Sequence, residues 1–202
     1  MARYYHSPAI FVDNLVKGQM GQYFKAFNLD KREIVKPDWL KLMEHSYINN
    51  ESVSSVEMLL IEGGRWHKDR IVWGGDYGEM HLWSVLYEDK AKDWTELKDL
   101  IRVIPNKYRY VVNYDTKQYV DKQDTTPEFT KYTNGYTEEV TIHPMPLLLA
   151  DGNGSGGGDY HGSDMDLVGS WKGYRIGILD EVPENFTKLK YSFKRAGSYV
   201  DH

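Results

Sequence analysis

Two stretches of the chain hold the residues with chemical reach. Asp151 to Gly162 reads DGNGSGGGDYHG, with six glycines among its twelve residues, and Trp73 to Gly78 reads WGGDYG. Each sets an Asp and a Tyr behind paired glycines. A carboxylate and an aromatic ring are thereby carried on backbone free to take positive φ and to approach a ligand, or another segment of chain, closely.

The longer stretch contains G-x-G-x-x-G at Gly152, Gly154 and Gly157. In a dinucleotide site that pattern opens a helix whose N-terminus holds the pyrophosphate. Here Gly158, Asp159, Tyr160, His161 and Gly162 follow, so no helix begins and a carboxylate stands where phosphate would lie. A P-loop is excluded as well, because no Lys followed by Ser or Thr closes the turn. Asp151, Asn153, Ser155 and Asp159 fall on positions 1, 3, 5 and 9 of an EF-hand loop, but its bidentate Glu at position 12 is replaced by Gly162. What survives is an irregular oxygen cage from Asp151 and Asp159 with Asp164 or Asp166, set against a loop whose Asp and Asn residues bond their own backbone.

Histidine with carboxylate is the second constellation. His143, Asp159 and His161, gathered together, would make a divalent-metal site or a general base with its orienting acid. His67, Asp69, Asp76 and His81 form a similar set near the shorter loop. A hydrogen-bonded structural histidine is the commoner outcome for each. Neither Gly162-Ser163-Asp164 nor Gly169-Ser170-Trp171 has the G-x-S-x-G form of a nucleophile elbow. If the two GGDY turns lie at neighbouring strand ends, Trp73, Tyr77, Tyr160, Trp171 and Tyr174 can line a pocket for a planar or sugar-like ligand. Asp76, Asp159, Asp151, Asn153 and His161 would then supply its polar contacts. The competing reading makes those rings lids on the core.

The elements that must position these groups are read from periodicity and punctuation. Ala9 to Val12 is a short strand, Phe24 to Val35 an extended segment, and Trp39 to Met43 after Pro37 a short helix. Asn49 or Asn50 caps a helix over Glu51 to Ile61, with Val53, Val56, Leu59 and Leu60 on one face and Gly63-Gly64 as the stop. Arg70 to Trp73 is a buried strand. Leu82 to Tyr87 and Trp94 to Ile101 have helical spacing, and Tyr108 to Asp121 is a hairpin about Tyr114 to Lys117. Residues 122–135 form a polar, flexible excursion, and Glu139 to Leu149, carrying Pro144 and Pro146, an edge strand or irregular run. Trp171 to Leu179 is a strand, Lys188 to Phe193 is partly strand-like, and 195–202 is a frayed tail. The expectation is an α+β fold: a single domain over 1–202 with a mixed or largely antiparallel sheet and a few short helices.

Bulk composition narrows the function classes. With 202 residues, 41% hydrophobic and 27% charged, the chain has enough apolar content for one buried core. A net charge of −5 gives no electrostatic footprint for nucleic acid. Absence of cysteine removes disulfides, thiolate metal sites and a Cys nucleophile together. No apolar window spans a bilayer and MARYYHSPAIFV is no signal peptide, so a cytoplasmic location is expected.

RIVWGGDY, VVNYDTKQYVDK, IHPMPLLLADGNGSGGGDY and VGSWKGYRI, over roughly residues 66–180, resemble an uncharacterised family of small phage- and prophage-encoded proteins. In that family the position of Gly74 is more often Ala and that of Ser155 more often basic, which would set a positive side chain inside a cation cage. The resemblance implies a protein acting in the cytosol of an infected or lysogenic bacterial cell, and brings no catalytic residue or cofactor. The leading expectation is a non-enzymatic accessory protein whose Gly-rich loop and aromatics bind a protein partner or small ligand; a homo-oligomer is open. No cofactor is expected. The alternatives are a metal-dependent hydrolase using His143, Asp159 and His161, and an inhibitor of a host defence protein.

Overall fold

Strand β4, Asp69–Gly75, is the centre of the architecture. The computed structural model describes residues 22–35, 39–87, 93–125, 127–131, 137–154 and 156–195, so the expected strand at Ala9 to Val12, together with Pro37 and Ser155, lies outside them. Along β4 the side chains alternate between two apolar clusters. Ile71 and Trp73 enter the larger one, and Val72 joins Phe27, Ile34, Leu82 and Trp83 in the smaller. A strand covered on both faces has no polar face to keep, which is why RIVW reads as an unbroken apolar run.

In chain order the strands are β1 Tyr23–Asn28, β2 Glu33–Val35, β3 Leu40–Lys41, β4, β5 Thr95–Leu97, β6 Tyr110–Asn113, β7 Gln118–Asp121, β8 Glu128–Lys131, β9 Thr137–Val140, β10 Ala150–Asp151, β11 Tyr174–Leu179 and β12 Thr187–Lys188. The helices are α1 Leu42–His45, α2 Glu51–Leu60, α3 Ser84–Tyr87 and α4 Pro144–Leu148. The sheet runs β12-β7-β6-β11-β4-β1-β2-β5, with β3 beside β1, and β8 and β9 form a separate pair. Most neighbours are antiparallel, whereas β10 with β4, β12 with β7 and β2 with β5 are parallel. The mixed α+β sheet is therefore as expected. Among the described residues no helix is long and apolar enough to cross a membrane.

Helix α2 forms where cap and periodicity agree. The Asn50 side chain accepts from the Ser52 and Val53 amides, Gly63 at φ 77° ends the segment, and Val53, Val56, Leu59 and Leu60 are all buried. Three expectations are corrected. Trp94 to Ile101 is not helical: Thr95–Leu97 pairs in parallel with β2, whose open edge outweighs a helical spacing. Pro144 to Leu148 is a helix, because Pro in a first turn gives up an N–H that has no intrahelical partner and His143 caps it. Within the expected excursion, Glu128–Lys131 pairs with Thr137–Val140.

Candidate functional site

The two Gly-rich loops leave the same end of the sheet. β10 lies in parallel beside the C-terminal half of β4, with Ala150 opposite Trp73 and Asp151 opposite Gly74. The N-terminal half of that edge belongs to β11, with Ile71 opposite Tyr174. Residues 76–78 and 152–154 therefore emerge side by side from the carboxyl ends of neighbouring parallel strands.

Asp151 fastens the loops together. Its side chain is fully buried; Oδ2 accepts from the Met80 amide at 2.8 Å, and Oδ1 pairs with Lys172 Nζ at 3.0 Å. Lys172 also reaches Glu79 at 3.2 Å. Burial pulls the Lys172 amine down, but its two carboxylate partners more than offset this and hold it above the ordinary lysine value. Gly78 packs on Asp151 so closely that a Cβ there would overlap the Asp151 carbonyl. Further along, the Asn153 side chain accepts from the Tyr160 amide at 2.8 Å and donates to the Tyr160 carbonyl at 2.9 Å, closing the loop on itself. The Tyr160 hydroxyl donates towards the Ser163 carbonyl at 2.7 Å and the Lys194 carbonyl at 3.0 Å, and accepts from the Lys194 amide at 3.0 Å.

The acidic residues of the two GGDY turns converge on the start of β1. The Tyr23 amide donates to Asp76 Oδ1 at 3.2 Å, and the Gln22 amide faces Asp159. Asp159 Oδ2 accepts from the Gly156 amide at 2.9 Å, while Oδ1 is buried without a hydrogen-bond partner. Burial raises the pKa of both carboxyls against the pull of nearby amides, and the charge of Asp159 raises Asp76 further; His161 acts the other way on Asp159. Gln22 is only 4% exposed, and its Oε1 also lacks a partner. That oxygen is wedged between the loops, where a Cβ on Gly75 or on Gly152 would overlap it.

Between the loops lies an open cavity of about 530 Å³, lined by Gln22, Tyr77, Glu79, Asn153, Met165 and Lys172 together with loop glycines, Ala150 and Val168. Its volume falls in the range of small-molecule sites, roughly 300–1,000 Å³. Of the expected aromatic lining, Tyr77 is 39% exposed and borders the cavity. Trp73, Tyr160 and Trp171 are buried in the main core, so for these three the lid reading is correct. Tyr174 lines a different recess beside Asp30, Arg70, Asp115 and Arg175.

The histidine constellations do not assemble. His143 is buried, its Nδ1 accepting from the Met145 amide at 3.1 Å and its Nε2 lying 3.0 Å from Glu57 Oε1. A ring that accepts at Nδ1 carries its proton at Nε2 and donates it to the carboxylate, so neither nitrogen is left for a metal or a substrate proton. Lys122 pairs with the same Glu57 oxygen. His67 is held by the Leu60 carbonyl at 2.9 Å, and Asp69 by Asn28 and Lys31. Among the described residues no three His, Asp or Glu side chains converge to hold a metal ion, so His143 with Asp159 and His161, and the Asp151–Asp159 cage, are not formed as metal sites. Gln22, Glu79 and Lys172 were not expected in the site. Nothing in their neighbours in sequence marks them, since Lys172 meets Glu79 across 93 positions of chain. Compared with known proteins, the chain matches no family model, no curated protein and no solved structure.

Proposed function

We propose that this protein is a non-enzymatic binding protein that holds a small organic ligand between its two GGDY loops. The observation behind this reading is the position of the cavity of about 530 Å³ at the carboxyl ends of the parallel pair β4 and β10. In sheets with parallel strands, backbone turning away at those ends leaves a crevice with free amides and carbonyls, the usual place for a ligand. The lining combines an aromatic ring, a thioether and a few polar groups, a mixture that surrounds an organic molecule rather than an ion. On the sequence resemblance, the setting is the cytoplasm of a phage-bearing bacterial cell.

Native mass spectrometry of protein purified from cell extract without chelator tests the reading. A stoichiometric adduct that disappears in Gly152→Val, whose side chain would intrude on Gln22, is the expected result. A clean apo mass under gentle conditions, alongside an unchanged one after incubation with metabolite extract, overturns it.

A further inference from the structure

We propose that this cavity selects ligands carrying a protonated amine, with Gln22 Oε1 as an acceptor for the ammonium group and Tyr77 as its aromatic neighbour. The inference rests on the reading of the cavity as a ligand site and adds the chemistry of its occupant.

The first support is the acceptor itself. Gln22 lines the cavity, is 4% exposed, and its side-chain carbonyl oxygen is buried without a hydrogen-bond partner. A buried acceptor left without a donor is costly, and such groups persist where a ligand supplies the missing partner. The oxygen's place between Gly75 and Gly152 exists because neither residue has a Cβ to fill it. The terminal amide torsion of Gln is soft, so a donor in the cavity can draw the oxygen towards itself. The backbone amide of the same residue approaches the Asp159 carboxyl, which ties Gln22 to the longer loop.

The second support is the sign of the charge. Asp76, Glu79, Asp151 and Asp159 surround this end of the sheet. Lys172, the cation in the lining, is already paired with Asp151 and Glu79. The stem of Lys41 runs beneath Gly158 with its ammonium near Gly157, and His161 acts on Asp159; among the described residues these two groups stand against the four carboxylates. A carboxylate or phosphate ligand would enter against these carboxylates and find Lys172 engaged, whereas an ammonium gains from them. Tyr77 borders the cavity as its aromatic residue, and Met165, Val168 and Ala150 cover an apolar body.

Three probes of one size separate the possibilities: tyramine with its ammonium, 4-ethylphenol without charge, and 3-(4-hydroxyphenyl)propionate with a carboxylate. Titration into ¹⁵N-labelled protein is followed by amide shifts at Gln22, Tyr77, Gly152 and Gly154. Tyramine is expected to perturb these residues and to bind at least about tenfold more tightly than either analogue, with affinity falling as salt is raised. Gln22→Leu, close to Gln in size, is expected to weaken tyramine by about tenfold while leaving the rest of the spectrum in place. Equal or tighter binding of the neutral or anionic analogue at the same residues overturns the amine selection and leaves the cavity reading standing. No perturbation of these residues by any of the three overturns the amine selection, and the native mass measurement then decides the cavity reading by itself.

Discussion

Asp76 and Asp159, one from each GGDY turn, sit close enough for the charge of Asp159 to raise the pKa of Asp76, and they meet the successive backbone amides of Tyr23 and Gln22 at the start of β1. Both carboxyls are raised chiefly by burial. Among the described residues neither forms an ion pair with an arginine or lysine, in contrast to Asp151 with Lys172. Carboxyls raised in this way by burial and by a like charge are more frequent at functional sites than elsewhere on a fold.

Asp159→Asn follows from this. A carboxyl whose folded pKa lies above the unfolded 3.8 contributes stability below 3.8, and that contribution is lost as pH rises through the folded pKa. At pH 7 the native charge therefore works against folding. The variant keeps an acceptor for the Gly156 amide and is expected to match or exceed the parent in urea unfolding at pH 7, by up to about 1 kcal/mol, with no gain at pH 3.5. A loss of more than that at pH 7 would show that the carboxylate is a structural anchor.

The buried Glu57–His143 pair gives stability the opposite pH dependence. Burial lowers the His143 pKa below 6.5 despite the pull of Glu57, and His143 and Lys122 hold Glu57 below 4.5 despite its burial. For both, the folded pKa lies below the unfolded one, so the contribution is present above the unfolded value and is lost as pH falls. Unfolding free energy should decline from about pH 6.5 downwards. His143→Asn retains a capping oxygen, costs about 1–3 kcal/mol at pH 7 through the lost donor to Glu57, and flattens the upper part of that decline.

Lys172→Met strands the Asp151 carboxylate with the Met80 amide as its remaining partner. Lys172 is partly exposed, which discounts the effect, and about 2 kcal/mol of destabilisation is expected in denaturant titration. Lys172→Arg should recover most of it.

Tyr160→Phe removes one hydroxyl that serves three backbone groups of Ser163 and Lys194. A loss of about 1–3 kcal/mol is expected, with faster hydrogen exchange at the Lys194 amide than in the rest of the sheet. Unchanged exchange there would remove Tyr160 as a fastener of the loop.

Gly78→Ala sets a methyl against the Asp151 carbonyl and carboxyl. Because backbone rather than a flexible side chain must yield, a cost of about 1–3 kcal/mol is expected, together with altered amide shifts at Asp151 and Gly152. An alanine tolerated without either change would mean that the loops have room to separate.

What was legible in the sequence was what local chemistry decides. The cap at Asn50 and the face of α2 lie within one helix, and the hairpin of β6 and β7 closes on its own turn through Asn113 Oδ1 and the Asp115 and Thr116 amides. At Thr95 to Leu97 a helical spacing was overruled by an edge of β2, formed some 60 residues earlier in the chain. At Pro144 the residue type points to an edge strand or irregular run, whereas its place in a first turn makes it a helix start. The juxtaposition of the two GGDY turns was legible as a condition, that they lie at neighbouring strand ends, and the β4–β10 pairing meets it. The wedge of Gln22 and the clamp of Lys172 were not, because no periodicity encodes a contact between side chains from distant loops.

The partners of β4 also set an order of assembly during synthesis. One flank is supplied by β1, at residues 23–28, and is ready as soon as β4 has been made. The other waits for Ala150–Asp151 and Tyr174 to Ile176, and the Tyr160 fastener waits for Lys194. A nascent chain thus carries a strand with one open flank over most of its translation, the state in which edge pairing between chains and capture by chaperones are strongest. The lining of the cavity is accordingly complete only once Lys172 has been made, so this end of the sheet closes late in synthesis.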